Sequence, residues 1–599
     1  MTAETATNTT PLDNKKSLSF YNRLLLVEAG LGGLLYGAVV GLIAGALPYL
    51  QATTGLNGGQ VSNVVAASML GAVLSTLFAG LLADWIGRRS LMAVSGLLFV
   101  ISIPMIALAH GYGQLLLGQL MEGLSVGLIG VAVPLYLAEC LVAAGRGKGA
   151  GLFQWMLTAG IAAAALIGLL FSFRLEQIAK LGDPNAIFHF KNLAWRGIFW
   201  AALPPGILFV IGSLIVAESP RWLLRRGKKD AARTALLRSR DPEQADRELR
   251  DMEEVIASEK KSEGTGAKES LLRRKHVIPF ILACIVLAFT QATGINSIIA
   301  YNTNILLQSG LSDLAAHEGY VLFTFVNFFV TLGAVVLVDR KGRKFLLGIG
   351  TAGIIVSTIC AGLLFVRTEK QRVDARSALQ SMVGGDQELT LRYNQQSAGK
   401  LLNQSSSEAA AGQPTSLVVI YSYGDFRAAS QAVRSDDPTA AIQIVREGCV
   451  PGNKIKAFFS NPFGDLDAAR VAPLKIENAL ITPVPGTGNG WLVAITLFLF
   501  VASFAIGPGV CVWLALSELM PTRIRSNGMS IALVLNQAVS TAIAAVFLPT
   551  VGKYGYSTMF FIFAACTVVF FVTAVWFLPE TKGKTLEEIE AHFEGKPTK

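Results

Sequence analysis

The stretch Gly80–Leu91, "GLLADWIGRRSL", places an Asp and two adjacent Arg between two long apolar runs, and Val335–Leu346, "VVLVDRKGRKFL", repeats this arrangement 255 residues later. A second pair of segments, "PLYLAECLVAAGRG" and "WLALSELMPTRIRS", repeats an acid followed seven residues later by Arg, at an offset of 379 residues. Paired motifs of this kind predict two halves of similar structure. The difference of 124 residues between the two offsets predicts an insertion within the second half.

The composition around these motifs is that of a membrane protein. Hydrophobic residues make up 52% of the chain and charged residues 15%, and the mean hydropathy is +0.50. Twelve apolar runs reach the length that a helix needs to cross the hydrocarbon core of a bilayer. We therefore predict an all-α polytopic membrane protein with twelve transmembrane helices in two six-helix halves. The formal charge of +10 requires no nucleic-acid partner, because basic loops facing lipid headgroups account for it.

The runs and their connections divide the chain into seven parts. These are an N-terminal tail (1–22), a first six-helix half (23–217), a charged linker with short helices (218–276), helices seven to nine (277–366), an insert (367–489), helices ten to twelve (490–578) and a C-terminal tail (579–599). Lys and Arg concentrate in the connections that carry the paired motifs, which predicts that those connections, the linker and both tails are cytoplasmic. The protein is then a multi-pass protein of the cell membrane, and its insert is extracytoplasmic. Four basic residues at 174–196 weaken this assignment, since they fall on the predicted outer side.

The insert is expected to be a small folded domain or a disordered linker. The run "SLVVIYSY" at Ser416–Tyr423 predicts a strand, whereas "YNQQSAGKLLNQSSSEAAAGQPTS" favours disorder for the first half of the insert. Residues 367–489 contain no His and one Cys, Cys449, so neither a nucleophile–base pair nor a metal-ligand cluster is indicated.

Four further motifs narrow the class of membrane protein. They are "ESPRWLLRRGK" at Glu218–Lys228, "TGIN" at Thr293–Asn296, "GPGVCVW" at Gly507–Trp513 and "PETKGKTLEEI" at Pro579–Ile589. Together with the paired "DxxGR" motifs, they resemble the sugar porter branch of the major facilitator superfamily across all twelve runs. The resemblance implies a carrier that moves a monosaccharide or polyol by alternating access, with no cofactor, no metal and no enzymatic activity. A transporter-like nutrient sensor is the alternative from another functional class.

The resemblance also implies a set of sugar contacts, because amides donate to and accept from hydroxyl groups and an aromatic ring covers a sugar face. The implied contacts are Gln154, Gln291, Asn296, Asn327, Trp513 and Asn536, and the implied gating residues are Tyr301, Gly507 and Pro508. Gln291 and Asn296 are five residues apart and would not share one face of a regular helix. A helix break at Gly294 would turn both toward the pathway. For any one amide, the alternative is a hydrogen bond between helices.

Charged residues near the paired motifs form a second predicted set. These are Asp84, Arg88, Arg89, Glu139, Arg146, Glu218, Arg221, Asp339, Arg343, Glu518, Arg525 and Glu580. Ion pairs among them could latch helices in one state of the carrier and release them in the other. The alternative is that they only anchor helix ends at the membrane surface.

The driving force depends on two substituted positions and one acid. Proton-coupled relatives carry an Asp in the first span and an Arg in the fourth, where this chain has Val39 and Gln119. We therefore favour facilitated diffusion. Glu122, one turn from Gln119, keeps open proton symport, a hydrogen bond across the bundle or a direct substrate contact, while Glu28 is expected at the water boundary. Because the halves match without the insert, we expect the insert to be dispensable for transport.

Overall fold

A computed structural model describes residues 11–141, 143–262, 274–404, 413–519, 525–580 and 593. In these residues, twelve helical segments are long and apolar enough to cross a membrane. This confirms the predicted fold class. The first five spans are α1 (Pro11–Thr54), α2 (Gly58–Ile86), α3 (Arg88–Ala107), α4 (Tyr112–Cys140) and α5 (Ala143–Ala179), and the sixth is built from α6 (Pro184–Trp200) and α7 (Leu203–Ile215).

The linker between the halves contains the short helices expected from its sequence. They are α8 (Pro220–Arg225), α9 (Lys229–Leu237) and α10 (Pro242–Ser262). Ala232 and Leu236 of α9 pack against Ala245 and Leu249 of α10 in a small buried cluster. Each helix thus buries one apolar stripe and exposes a charged face, as is usual for surface helices.

The second half begins with a broken seventh span. Its pieces are α11 (Arg274–Ala292), α12 (Ile295–Ala300) and α13 (Asn302–Gln308), followed by the eighth and ninth spans, α14 (Asp313–Lys341) and α15 (Arg343–Glu369). The break between α11 and α12 falls at Gly294, whose φ of +86° is a left-handed conformation that favours glycine.

The insert is a folded α+β domain in its described residues. Its antiparallel sheet has the order β1 (Val373–Asp374), β7 (Leu474–Pro483), β3 (Thr415–Tyr423) and β4 (Phe426–Ala429), and β5 (Val433–Arg434) also pairs with β3. A second ladder joins β2 (Leu389–Arg392) to β6 (Ala441–Ile444). Four helices complete the domain: α16 (Arg376–Gln380), α17 (Gln395–Gln404), α18 (Lys454–Ser460) and α19 (Leu466–Val471).

The disorder favoured for the first half of the insert is wrong for residues 371–404. Within the quoted polar stretch, α17 buries Ala398, Leu401 and Leu402, which recur at helical spacing on one face. These residues join a separate hydrophobic core of the insert that includes Leu417, Tyr421 and other residues of the sheet. Residues 405–412 lie outside the described residues. The predicted strand at Ser416–Tyr423 is confirmed as β3.

The remaining spans are α20 (Thr487–Ile506) with α21 (Pro508–Leu519), α22 (Arg525–Tyr554), and α23 (Tyr556–Val572) with a π-helical turn at Thr573–Phe577. The insert joins the ends of α15 and α20 and therefore sits at one end of the bundle, here named the insert end. The paired loops at Gly87 and Gly342 lie at the other end, here named the motif end. This arrangement agrees with the parity of the predicted spans.

Candidate functional site

The two halves are hydrogen-bonded to each other at the insert end. Tyr49 of α1 donates to Asp313 Oδ2 at 2.9 Å, and Asn304 Nδ2 of α13 donates to Gln51 Oε1 at 2.7 Å. Tyr320 of α14 donates to the carbonyl of Gly41 at 3.1 Å. Among the described residues, no comparable hydrogen bond joins the halves at the motif end. The structure is therefore closed at the insert end.

A cluster of carboxamides lies in the membrane interior between the seventh and eleventh spans. Gln291 Nε2 donates to Asn536 Oδ1 at 3.1 Å, and Asn296 Nδ2 donates to Gln291 Oε1 at 2.9 Å and to Ser540 Oγ at 2.8 Å. Asn536 Nδ2 is held by the carbonyl of Leu287 at 2.8 Å. The sequence-predicted contacts Gln291, Asn296 and Asn536 are thus in one place, and we call them, with Ser540, the amide cluster.

The break at Gly294 explains how residues five apart meet. The last turn of α11 carries Gln291 and the first turn of α12 carries Asn296, so the two helices present both side chains to the same neighbour, α22. A Cβ on Gly294 would lie 2.5 Å from the ring of Phe563, so the position excludes any side chain by space as well as by conformation.

The other predicted sugar contacts do not join this cluster. Gln154 on α5 and Asn327 on α14 are half-buried and form no hydrogen bond with a described residue. Their neighbours Trp155 and Phe328 stack at 5.4 Å, so the fifth and eighth spans do meet at this level. The side chain of Trp513 lies outside the described residues. Thr290, the neighbour of Gln291 in the chain, donates its hydroxyl to the carbonyl of Val286 at 2.7 Å.

Tyr301 lies between the amide cluster and the insert end. Its ring stacks on Phe547 with centroids 4.5 Å apart, and its hydroxyl lies 3.3 Å from both Ser62 Oγ of the first half and the carbonyl of Ala544. Phe547 in turn contacts Tyr556 edge to face at 6.3 Å. A buried aromatic layer that contacts both halves is well placed to close the pathway at this end.

Gly507 and Pro508 mark a break in the tenth span. The helix α20 ends before Gly507 and α21 begins at Pro508, which has no N–H for a continuous helix. A Cβ on Gly350 of α15 would lie 2.7 Å from the Cα of Gly507, so the ninth and tenth spans cross closely at the break. The structure places these residues at a candidate hinge, far from Tyr301 along the chain.

The charged residues of the first half form one connected network at the motif end. Arg88, which is 3% exposed, bridges Glu139 with Nε to Oε2 at 2.9 Å and Asp84 Oδ1 with Nη2 at 2.9 Å. Glu218 Oε1 accepts the backbone N–H groups of Arg88 and Arg89 at 2.9 and 3.1 Å. Glu218 therefore caps the start of α3, where the N-cap residue, Gly87, has no side chain to do so.

The second half repeats this cap. Glu580 accepts the backbone N–H groups of Arg343 and Lys344, both at 3.1 Å, at the start of α15. Gly87 and Gly342 have φ values of +95° and +91°, and a Cβ on either would lie 2.2 or 2.6 Å from the capping carboxylate. The paired sequence motifs are therefore paired structures, each consisting of a glycine turn and an acid from the end of its own half.

Some members of the predicted network act differently from the expectation or lie outside the description. Arg89 donates to the carbonyls of Ser213 and Leu214 rather than to an acid, and Arg221 forms no ion pair with a described residue. The side chains of Arg146, Asp339, Glu518 and Arg525 lie outside the described residues. The pairs that are described connect helices within one half, so in this closed state of the insert end they hold each half together rather than joining the two.

Two acids are buried in the first half. Glu122 is 1% exposed, and its Oε1, like Nε2 of Gln119, has no hydrogen-bond partner among the described residues. Glu28, expected at the water boundary, is instead 2% exposed and accepts the hydroxyl of Ser213 at 2.6 Å. A Cβ on Gly212 would lie 1.9 Å from Glu28 Oε2, so this small residue makes room for the carboxylate.

Sequence reasoning missed the contacts by which the insert holds the bundle. Lys191 of α6 donates to both carboxylate oxygens of Asp437 at 2.8 and 2.7 Å and to Thr439 Oγ1 at 2.7 Å. Arg434 of β5 donates to the carbonyls of Leu307 and Leu311 at 2.6 and 2.9 Å, in the last turn of the seventh span and just after it. The insert therefore contacts both halves. The signal available was the group of basic residues at 174–196 on the predicted outer side, to which Lys191 belongs.

These contacts also account for the four basic residues at 174–196. Lys191 pairs with the insert, and Arg196 donates to the carbonyls of Ala107 and Ala109 at 2.6 and 3.0 Å. Arg174 donates to Gln177 at 3.0 Å, and Lys180 pairs with Glu176 at 3.5 Å. Each of the four is engaged within the protein.

Known proteins resemble this chain along almost its whole length. The glucose transporter GlcP of Staphylococcus epidermidis is 28% identical over 95% of this chain and 96% of its own length. The proton myo-inositol cotransporter of Homo sapiens is 28% identical over 96% of this chain and 82% of its own length. The xylose transporter XylE from E. coli, in a partially occluded inward open conformation, has the same fold with a TM-score of 0.62, 19% identity and coverage of 94% and 100%.

The family comparison agrees with the internal repeat. The family model described as "Sugar (and other) transporter" matches residues 26–383 and 475–593, which is most of the chain, and the stretch between the two matched parts lies within the insert. The twelve spans, the two capped glycine turns and this match lead to the same conclusion. The chain belongs to the sugar (and other) transporter family and is a membrane carrier rather than an enzyme.

Proposed function

We propose that this protein carries a neutral monosaccharide or polyol across the cell membrane by alternating access, and that the amide cluster is the centre of its sugar site. The observation that carries the proposal is the mutual hydrogen bonding of Gln291, Asn296 and Asn536 in the membrane interior. Polar groups there need partners. Sugar hydroxyls donate and accept, so a sugar can replace these bonds one for one and leave no amide unpaired.

The relatives support a polyhydroxyl substrate. Their names assign glucose and myo-inositol to proteins similar to this one over nearly the whole chain. Both are neutral molecules with a ring of hydroxyl groups, which suits a site built from uncharged amides. Gln154, Asn327 and Trp513 complete the proposed site in a conformation in which the spans that carry them close around the sugar.

We place the insert outside the cell and the motif end, the linker and both tails in the cytoplasm. Arg88, Arg89, Lys341 and Lys344 all lie at the motif end, as the positive-inside rule expects of a cytoplasmic face. The basic residues at the insert end are engaged by acids or carbonyls of the protein. Their presence there therefore counts less against an extracytoplasmic location of this end. The lipid bilayer is the partner of the exposed apolar faces.

The transport cycle then requires the insert end to open. Opening breaks the Asn304–Gln51 bond and separates Tyr301 from Ser62, while Glu218 and Glu580 keep each half rigid through their caps. The breaks at Gly294 and Gly507 provide the hinges. Opposite movements expose the amide cluster first to one side and then to the other.

For the driving force, we propose facilitated diffusion. Val39 and Gln119 replace the Asp and Arg of proton-coupled relatives, and both are buried and uncharged. Proton symport through Glu122 is the second candidate, because this acid is buried and one of its oxygens has no partner among the described residues. An unpaired charge is costly inside a membrane. The affinity of Glu122 for a proton would therefore depend on the arrangement of the residues around it, and could differ between the two states of the carrier.

Equilibrium binding tests the site. In the purified full-length protein, Gln291→Ala and Asn296→Ala should each weaken binding of the transported sugar by about 1–3 kcal/mol, because a desolvated hydroxyl loses its partner. Gln395→Ala, an exposed amide on α17, is the matched control and should bind like wild type. If both cluster variants bind the sugar with unchanged affinity, the amide cluster is not the site.

A further inference from the structure

A cavity lies between the insert and the insert end of the bundle. Its volume is about 650 Å³, and its walls come from both halves and from the insert. That volume falls within the roughly 300–1,000 Å³ of typical small-molecule sites. The predicted sugar contacts contribute nothing to its lining, so it is separate from the amide cluster.

The chemistry of the lining is that of a neutral polyhydroxyl site. Six carboxamides face the cavity: Gln51, Asn57, Asn304, Gln308, Gln431 and Gln443. Such groups both donate and accept hydrogen bonds, as sugar hydroxyls require. Tyr49 and Tyr556 also line the cavity, and an aromatic ring can cover the apolar face of a sugar.

The charges of the lining disfavour an anionic ligand. Lys191 and Arg434 are the basic residues, and each already pairs with an acid of the same cavity, Asp437 and Asp436. Glu176 and Asp313 add two more carboxylates to the lining. A phosphate or carboxylate group would therefore meet excess negative charge, whereas a neutral ligand would not.

One side chain in the lining has an unmet hydrogen-bonding capacity. Asn304 is 7% exposed, and its Nδ2 donates to Gln51, but its Oδ1 has no partner among the described residues. A buried acceptor without a donor is costly. Asn304 is therefore a lining residue whose hydrogen bonding is incomplete in this closed state.

The position of the cavity connects it to the transport route. Tyr556 lines the cavity and contacts Phe547, which stacks on Tyr301, so this aromatic layer separates the cavity from the amide cluster. We propose that the cavity is a second, weaker binding site for a neutral monosaccharide or polyol, filled while the insert end is closed. This inference rests on the proposed function and adds a capture site in front of the central one.

Saturation-transfer NMR on the full-length protein in lipid nanodiscs tests the inference, with D-glucose, D-xylose and myo-inositol as neutral probes and glucose 6-phosphate as the anionic probe. The background variant Gln291→Ala/Asn296→Ala removes the central contacts. Two independent changes then address the cavity: Gln51→Ala/Asn304→Ala removes two of its six amides, and Ala432→Trp fills it from an exposed lining position of the insert. Gln395→Ala is again the control, and thermal unfolding reports folding.

We expect the background variant to keep weak, saturable binding of a neutral probe, and each cavity change to weaken it by about tenfold or more. Loss of all binding in the background variant, or residual binding that neither cavity change weakens, would overturn the second site while leaving the proposed function intact. A residual site that prefers glucose 6-phosphate would overturn the neutral assignment. A wild-type protein that binds no neutral probe would overturn both proposals.

Discussion

The ion pair between Lys191 and Asp437 makes a quantitative prediction about closure of the insert end. The Lys191 side chain is 10% exposed and the Asp437 side chain is 32% exposed, and the two residues are 246 positions apart in the chain. Removing one partner of a buried pair costs about 3–5 kcal/mol. Because Asp437 is partly open to water, we expect a smaller cost of about 2 kcal/mol for Lys191→Met, and a larger one for Asp437→Asn, which strands the more buried Lys191.

This cost should appear as opening of the insert end. A penalty of about 2 kcal/mol on the closed state raises the open population about 30-fold. Ala544→Cys provides the reporter, since Ala544 is 0% exposed and its carbonyl lies 3.3 Å from the Tyr301 hydroxyl that contacts the first half. The labelling rate with a membrane-impermeant maleimide should follow the open population when closing is fast.

The controls define what would refute this reasoning. Arg427→Met breaks the exposed Arg427–Glu477 pair within the insert and should change the labelling rate little, because Arg427 is 66% exposed. Changing Lys191 and Asp437 together should cost less than the sum of the single changes. If Lys191→Met and Asp437→Asn leave the labelling rate at the wild-type level, the insert does not hold this end closed.

The same pair predicts the pH dependence of closure. Burial raises the pKa of Asp437, but the adjacent Lys191 ammonium and the bonds from Thr439 outweigh it and hold the pKa below its ordinary value. A depressed pKa means that the stabilisation is complete above the unfolded value, about 3.9, and is lost as the pH falls through the folded one. The labelling rate, divided at each pH by that of the unfolded protein to remove the titration of the thiol, should therefore be constant from about pH 5 to 8.

Three further predictions follow from the structure. Under facilitated diffusion, an imposed pH gradient should not change sugar uptake into vesicles by wild type or by Glu122→Gln. Concentrative, protonophore-sensitive uptake that is lost in Glu122→Gln, while sugar exchange persists, would instead make Glu122 the coupling residue. Gly87→Ala should lower the free energy of unfolding by about 1–3 kcal/mol, since its Cβ would lie 2.2 Å from Glu218, whereas Gly111→Ala, with no atom within 4 Å, should have little effect in the same thermal unfolding assay. Replacing residues 372–484 by a Gly/Ser linker should leave uptake measurable but increase labelling of Ala544→Cys; complete loss of uptake with normal membrane insertion would make the insert essential for transport.

The features that the sequence predicted are those with a local or repeated signal. Each span is one continuous apolar run, and the offsets of the paired motifs predicted extra sequence within the second half. Gly294 predicted the break that brings Gln291 to Asn296, because only a left-handed residue between the two allows the geometry observed. For the spans and for the break, the physical cause lies within about twenty residues of chain.

The features that the sequence did not predict depend on distant pairings. Helix α17 has only three buried apolar residues, which are hidden in a polar stretch and are stabilised by packing against strands of the insert. Strand β1 pairs with β7 through Val373 and Ile481, far apart in the chain. The prediction for Glu218 was also incomplete. It was expected to form a salt bridge, whereas its Oε1 accepts the backbone N–H groups of Arg88 and Arg89. A pattern of side chains in the sequence does not reveal bonds to the backbone.

Counterflow in reconstituted vesicles tests the central claim most directly. Vesicles loaded with an unlabelled neutral sugar or polyol are diluted into the labelled form, so that only a carrier that alternates between two faces accumulates label. We predict transient accumulation with wild type for at least one neutral sugar or polyol, and strong reduction with Gln291→Ala/Asn296→Ala at normal membrane insertion. Saturable binding of a sugar without any counterflow would contradict the account and indicate a sensor, and accumulation unaffected by the double variant would contradict the proposed site.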